Sequence, residues 1–153
     1  MKRKCKIGIG IILFVLILLA LILFFIQYNN NFYKKTLLNS WGISIKKPYN
    51  IDVLYESERV FVNDGQRILK LNSKNFDYSI DCAECYRHVE LNSDMKLLSE
   101  MIKNAGLTRL IKLKDIKIID SVKKNKHDSF FFKTLIIIFE ENKKIYYIFE
   151  NII

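Results

Sequence analysis

Proline occurs once in this chain, at Pro48, and glycine only five times. The scarcity of each excludes something. A thioredoxin-like scaffold carries a cis-proline downstream of its reactive cysteines, and Pro48 lies upstream of Cys82 and Cys85. A phosphate-cradling glycine loop is missing as well. Gly8 and Gly10 fall inside an apolar run, and their i, i+2 spacing is not the G-x-x-x-G pattern that packs membrane helices. No internal repeat occurs, and no low-complexity tract longer than Asn29–Asn31. The net charge of +9 is unevenly placed. From Gly42 onward 19 Lys and Arg face 16 Asp and Glu, a surplus of three, and the other six cations flank the apolar run. A domain so weakly basic does not have the electrostatic footprint of a nucleic-acid binder.

What the chain has is apolar length. Residues 7–26, IGIGIILFVLILLALILFFI, are 20 residues without a charge, a polar side chain or a proline. At 1.5 Å per residue a helix of that length spans roughly 30 Å, the thickness of a bilayer's hydrocarbon core. Seventeen of the twenty are Ile, Leu, Val or Phe, each favouring insertion by about 0.3–0.6 kcal/mol near the helix centre. A buried core helix would need more protein around it than the remainder supplies. A cleaved signal would have a shorter apolar stretch and an A-x-A-like site, whereas Ala20 sits between leucines. The expectation is an uncleaved signal anchor. Lys2, Arg3, Lys4 and Lys6 precede the span, and the next cations, Lys34 and Lys35, follow it. The positive-inside rule then puts the N-terminus in the cytoplasm and the rest outside. The four flanking cations also suit anionic lipid headgroups.

These features predict a cytoplasmic tail over 1–6, a transmembrane helix over 7–26, a stalk over 27–41 and an extracytoplasmic domain over 42–153. Trp41 is expected to pack into the domain. Within the domain Ile51–Tyr55 reads as a strand. Apolar runs around Asp64-Gly65 predict a hairpin, with Val60 and Val62 before it and Ile68, Leu69 and Leu71 after. SDMKLLSEMIKNAG predicts a helix capped by Ser93, with Leu97, Leu98, Met101, Ile102 and Ala105 on one face and Gly106 at its end. DIKIIDSV reads as another strand. Residues 130–153 read as a hairpin turning at Glu141-Asn142-Lys143, with Leu135–Phe139 apolar enough for burial on both faces. The fold class expected is one N-terminal transmembrane helix plus a small α+β domain. Its antiparallel sheet has about five or six strands, one face covered by helix.

The stretch WGISIKKPYNIDVLYESERVFVNDGQR resembles a pattern in small uncharacterised membrane-anchored or lipid-tethered proteins of low-GC Gram-positive bacteria. There G-I-x-I-P-K-P precedes a strand, and a second strand ends in F-x-G-D-G-E. Gly42, Ile43, Ile45, Lys47, Pro48, Phe61, Asp64 and Gly65 match; Lys46, Asn63 and Gln66 depart from it. The resemblance implies an anchored protein and brings no catalytic residue with it.

The chemistry-bearing residues are few. DCAECYRH (residues 81–88) holds Cys82, Cys85 and His88. As a redox C-x-x-C it is poorly served, because Asp81 and Glu84 raise the thiol pKa, against the weaker pull of Arg87 and His88. As a zinc site it offers three ligands with His127 as a distant fourth, and lacks the second close pair that structural sites use. Covalent haem would need a histidine directly after Cys85, where Tyr86 stands. The favoured state is a Cys82–Cys85 disulfide, permitted outside the cytoplasm and short enough on a helical turn, with two free, partly buried thiols as the alternative; Cys5 is expected on the other side of the membrane. His127-Asp128-Ser129 are sequence neighbours and cannot form a hydrolase triad. Glu140-Glu141 beside Lys143-Lys144 reads as a solvated hairpin tip. No catalytic residue, metal or cofactor is therefore assigned. The expectation is a non-enzymatic, single-pass membrane protein whose partners are the lipid bilayer and a protein or envelope component, with no nucleic acid or small-molecule substrate. The alternative is a membrane-anchored thiol–disulfide oxidoreductase using Cys82 and Cys85. In a third reading the chain is a structural subunit whose helix is the working part.

Overall fold

The computed structural model describes residues 2–45, 50–57, 65–72, 77–87, 89–125 and 132–152, with side chains from Ile11 onward except Asn125 and Phe132. The expectations for Lys2, Arg3, Lys4, Cys5 and Lys6 as side chains, and for Val60, Val62, His88 and His127–Ser129, fall outside that set. Two compact units are present, Met1–Thr36 and Leu37–Ile153.

The first unit is most of one helix, α1 (Lys2–Trp41), 40 residues long. At 1.5 Å per residue it is roughly 60 Å long, about twice what a hydrocarbon core requires. Its segment from Ile11 is long and apolar enough to cross a membrane, and the large apolar side chains from Ile11 to Ile26 are exposed. The predicted stalk is a continuation of this helix. Its last residues belong to the domain, since Leu37 and Trp41 are fully buried there. The helix stops at Gly42, which takes φ +65° while its N–H donates to the Leu38 carbonyl at 2.8 Å. That is a left-handed glycine cap.

Among the described residues the second unit has a six-stranded antiparallel sheet and a two-stranded ribbon. The ribbon pairs β1 (Ile43–Ile45) with β4 (Tyr78–Ile80). The sheet is built from β2 (Asn50–Glu56), β3 (Gly65–Asn72), β5 (Cys85–Arg87), β6 (Ile116–Asn125), β7 (Phe132–Glu140) and β8 (Ile145–Ile152), in the order β2-β3-β8-β7-β6-β5. The α+β class with an antiparallel sheet is therefore observed. β3 pairs with Asn50–Glu56 on one side and with β8 on the other. In this register Ile51 lies opposite Leu71 and Glu56 opposite Arg67, a match that a two-residue turn at Asp64-Gly65 would prevent. β7 and β8 join through residues 141–144, as the polar tip sequence requires.

Alternation sends each strand's side chains to opposite faces. Ile68, Ile136, Ile138, Tyr147 and Phe149 share one face and pack against Leu98, Met101, Ile102 and Ile111. Leu98, Met101 and Ile102 come from α2 (Leu91–Asn104), whose apolar spacing lays one stripe on the sheet. Three such buried side chains contribute about 1.5–3 kcal/mol each, more than any propensity term. The helix begins two residues before Ser93. Ser93 therefore lies inside its first turn, and the Asp94 carboxylate accepts the Glu90 N–H at 3.0 Å instead. A Schellman turn ends it: Leu107 N–H bonds to Ile102 O at 2.9 Å around Gly106 at φ +69°.

The opposite face carries Leu69, Leu71, Leu135, Ile137 and Ile148, and with them Arg67, Asp120 and Glu150. The root of α1 and the β1–β4 ribbon lie over it, as the Trp41–Glu150 and Tyr78–Asp120 hydrogen bonds require. The sheet is thus covered on both faces, one by α2 and one by the helix root with its ribbon.

Candidate functional site

The charged groups on that second face form two clusters. The first is at the helix root. Glu150 is 1% exposed, and its carboxylate accepts the Trp41 indole N–H at 2.6 Å and Arg67 Nη1 at 3.1 Å. Arg67 reaches the other way to Glu56 Oε1, through Nη2 at 2.9 Å and Nε at 3.2 Å. A buried carboxylate persists only when paired and hydrogen-bonded, and β3 and β8 meet that need by setting Arg67 directly opposite Glu150. The result fastens the last residue of α1 to the centre of the sheet.

The second cluster belongs to residues 77–87. Asp120 of β6 is 5% exposed. It accepts Tyr78 Oη from β4 at 3.2 Å and forms an ion pair with the Arg87 guanidinium from β5. Between these two arms Cys82 and Cys85 are joined by a disulfide across a tight turn, with Cys85 N–H to Cys82 O at 3.3 Å. The turn links two strands and is not helical, because β4 and β5 on either side are extended. Lys124 Nζ approaches Glu84 at 3.2 Å beside it. The segment also grips the root: Asp81 N–H donates to Gly42 O at 3.0 Å. A Cβ on Gly42 would lie 1.9 Å from the Asp81 carbonyl oxygen, so only glycine admits this approach.

Burial, followed by the charge of Asp120 and its hydrogen bond, pushes the Tyr78 phenol up to about 12, with Arg87 opposing. The Arg87 guanidinium is raised in turn by its hydrogen bond to Asp120. Burial and then a 2.9 Å hydrogen bond to Glu140 raise Tyr147 as well. From the ordinary value of 10 to about 12 the unfolded Tyr78 loses its proton while the folded one keeps it. The folded state then binds more protons, and stability falls as pH rises through that window. Denaturant unfolding across this range is expected to show a shallower loss for Tyr78→Phe than for the parent chain. Equal slopes would mean that Tyr78 is not held neutral by the fold.

The residues singled out in the sequence fare differently. Cys82 and Cys85 meet in the disulfide and are half-buried. Their turn supplies no helix N-terminus to activate a thiol, and Asp81 and Glu84 flank it. Among the described residues no three His, Cys, Asp or Glu side chains converge as metal ligands. The hairpin tip is solvated at Glu141, Lys143 and Lys144, but Glu140 is not part of it. That carboxylate is buried, accepts Tyr147 Oη and pairs with Lys143 at 2.8 Å. Arg67, Asp120 and Glu150 were missed by sequence reasoning. Their only signal is a charge at a core-facing position of an otherwise apolar strand. Comparison with protein-family models, curated proteins and solved structures finds no match.

Proposed function

We propose that the chain is a single-pass membrane protein, held by an uncleaved signal anchor. Its α+β domain works at the outer face of the cell membrane by binding a protein or another envelope component. One observation carries this reading. The helix that exposes an apolar surface from Ile11 to Ile26 ends inside a domain core, with Trp41 wholly buried. The apolar stretch is longer than a secretory signal's and carries no A-x-A-like site, and it continues without a break into that buried root. The four cations before the span set the orientation, and the resemblance of residues 41–67 to anchored proteins points the same way. Tyr86, Val89 and Leu91 expose apolar surface where the edge strand β5 runs on to α2, which suits contact with a partner. β7 and β8 do not offer such an edge, since both are interior to the sheet.

The second reading, a membrane-anchored thiol–disulfide oxidoreductase, draws on the Cys82–Cys85 bond. Labelling intact cells with a membrane-impermeant maleimide, before and after reduction, tests the placement, with Cys5 as the cytoplasmic control. Cys82 and Cys85 are expected to label only after reduction. Labelling of Cys5 in place of the pair would reverse the orientation. Replacing both cysteines with serine leaves a binding role standing and abolishes an oxidoreductase.

A further inference from the structure

Residues 77–87 form a clip attached at four places. β4 pairs with β1 through only three residues, and Asp81 bonds to Gly42 at the helix root. At the far end β5 pairs with β6 through three residues. Tyr78 and Arg87, one from each arm, close on the same Asp120 carboxylate. Ribbons this short are marginal by themselves. The turn between the arms has a long backbone hydrogen bond, 3.3 Å from Cys85 N–H to Cys82 O. The covalent link between the arms is the disulfide. It is half-buried and lies one residue from the group that holds the helix root.

We propose that the Cys82–Cys85 disulfide is a redox-operated clasp on the helix root. Oxidised, it holds the arms together and so keeps β4 and Asp81 seated against β1 and Gly42. Reduction breaks the S–S bond; each sulfur gains one electron and one proton, and the dithiol that supplies them closes its own disulfide. The arms then separate more readily, and the root keeps the Trp41–Glu150–Arg67 cluster and the packing of the buried Leu37 and Trp41. This rests on the outward placement proposed above, where thiols are oxidised. It makes the redox state of that compartment a control on how firmly Trp41–Ile45 is held within the domain.

Amide hydrogen exchange on the purified full chain in detergent, oxidised and after dithiothreitol, tests it independently of orientation. Exchange at Gly42–Ile45 and Tyr78–Arg87 is expected to quicken roughly tenfold on reduction, while α2, β7 and β8 are unchanged. The Cys82→Ser/Cys85→Ser chain should show the reduced pattern with or without dithiothreitol. Unchanged exchange at the ribbon and root would overturn the clasp, leaving a local staple. Faster exchange throughout the sheet would also overturn it, as loss of the whole fold. Labelling that placed the domain in the cytoplasm would remove the outward reading without altering the exchange result.

Discussion

Gly42→Ala is expected to lower the stability of the Leu37–Ile153 domain by about 3–5 kcal/mol. The left-handed conformation at φ +65° accounts for about 1–2 kcal/mol of this in any residue with a Cβ. The rest is steric. The new methyl would lie 1.9 Å from a backbone oxygen, Asp81 O, which cannot rotate away as a side chain would. Either the root or β4 must move, which breaks the 3.0 Å bond between Asp81 N–H and Gly42 O and the ribbon beside it. Gly106→Ala is the control, with a similar φ of +69° and nothing within 4 Å of the added Cβ. It should cost about 1–2 kcal/mol. Trp41, the only tryptophan, reports the root directly through its fluorescence in a urea titration. Equal losses at the two glycines would show that the close approach at Gly42 has no energetic weight.

Removing Arg67 should cost a similar amount by a different route. In Arg67→Met the Glu150 carboxylate, 1% exposed, keeps the Trp41 N–H but has no counter-charge among the described residues. Breaking one side of a buried pair typically costs about 3–5 kcal/mol, most of it from the charge left behind. The sign of the second change separates charge from packing. Adding Glu150→Gln to Arg67→Met should recover about half of the loss or more, because a neutral amide still accepts the indole hydrogen bond without a buried charge. Glu56→Gln should matter little, under about 1 kcal/mol, since its side chain is 34% exposed and water replaces the pair. If the double variant were no more stable than Arg67→Met, the cost would be lost packing of the arginine stem and not an orphaned carboxylate.

Both predictions concern residues whose importance is invisible locally. Gly42 follows a helix and precedes a strand, which is enough to suggest a cap; that Asp81 would pass within contact of it is not written in the neighbouring residues. Arg67 and Glu150 each interrupt an apolar strand, and the pattern alone cannot say that they face each other. Leu98, Met101 and Ile102 were legible because a helix repeats every 3.6 residues and its apolar stripe declares its buried side. Ser93 looked like the cap because it has the right chemistry, yet Asp94 one residue later holds the Glu90 N–H and the helix starts earlier. The three-residue strands β1, β4 and β5 are too short for any period to register. They exist because a helix root, a ribbon and a sheet edge hold them.

By itself the sequence determined the uninterrupted apolar helix, the amphipathic α2, the long strands of the final hairpin and the α+β class. Each of these depends on short-range periodicity and on transfer of apolar side chains out of water, which act within one segment. Tertiary structure alone decided strand order, the two covered faces, the pairing of Glu150 with Arg67 and Trp41, and the convergence of Tyr78 and Arg87 on Asp120. Those depend on register, and a one-residue slip would turn every such side chain to the other face of the sheet.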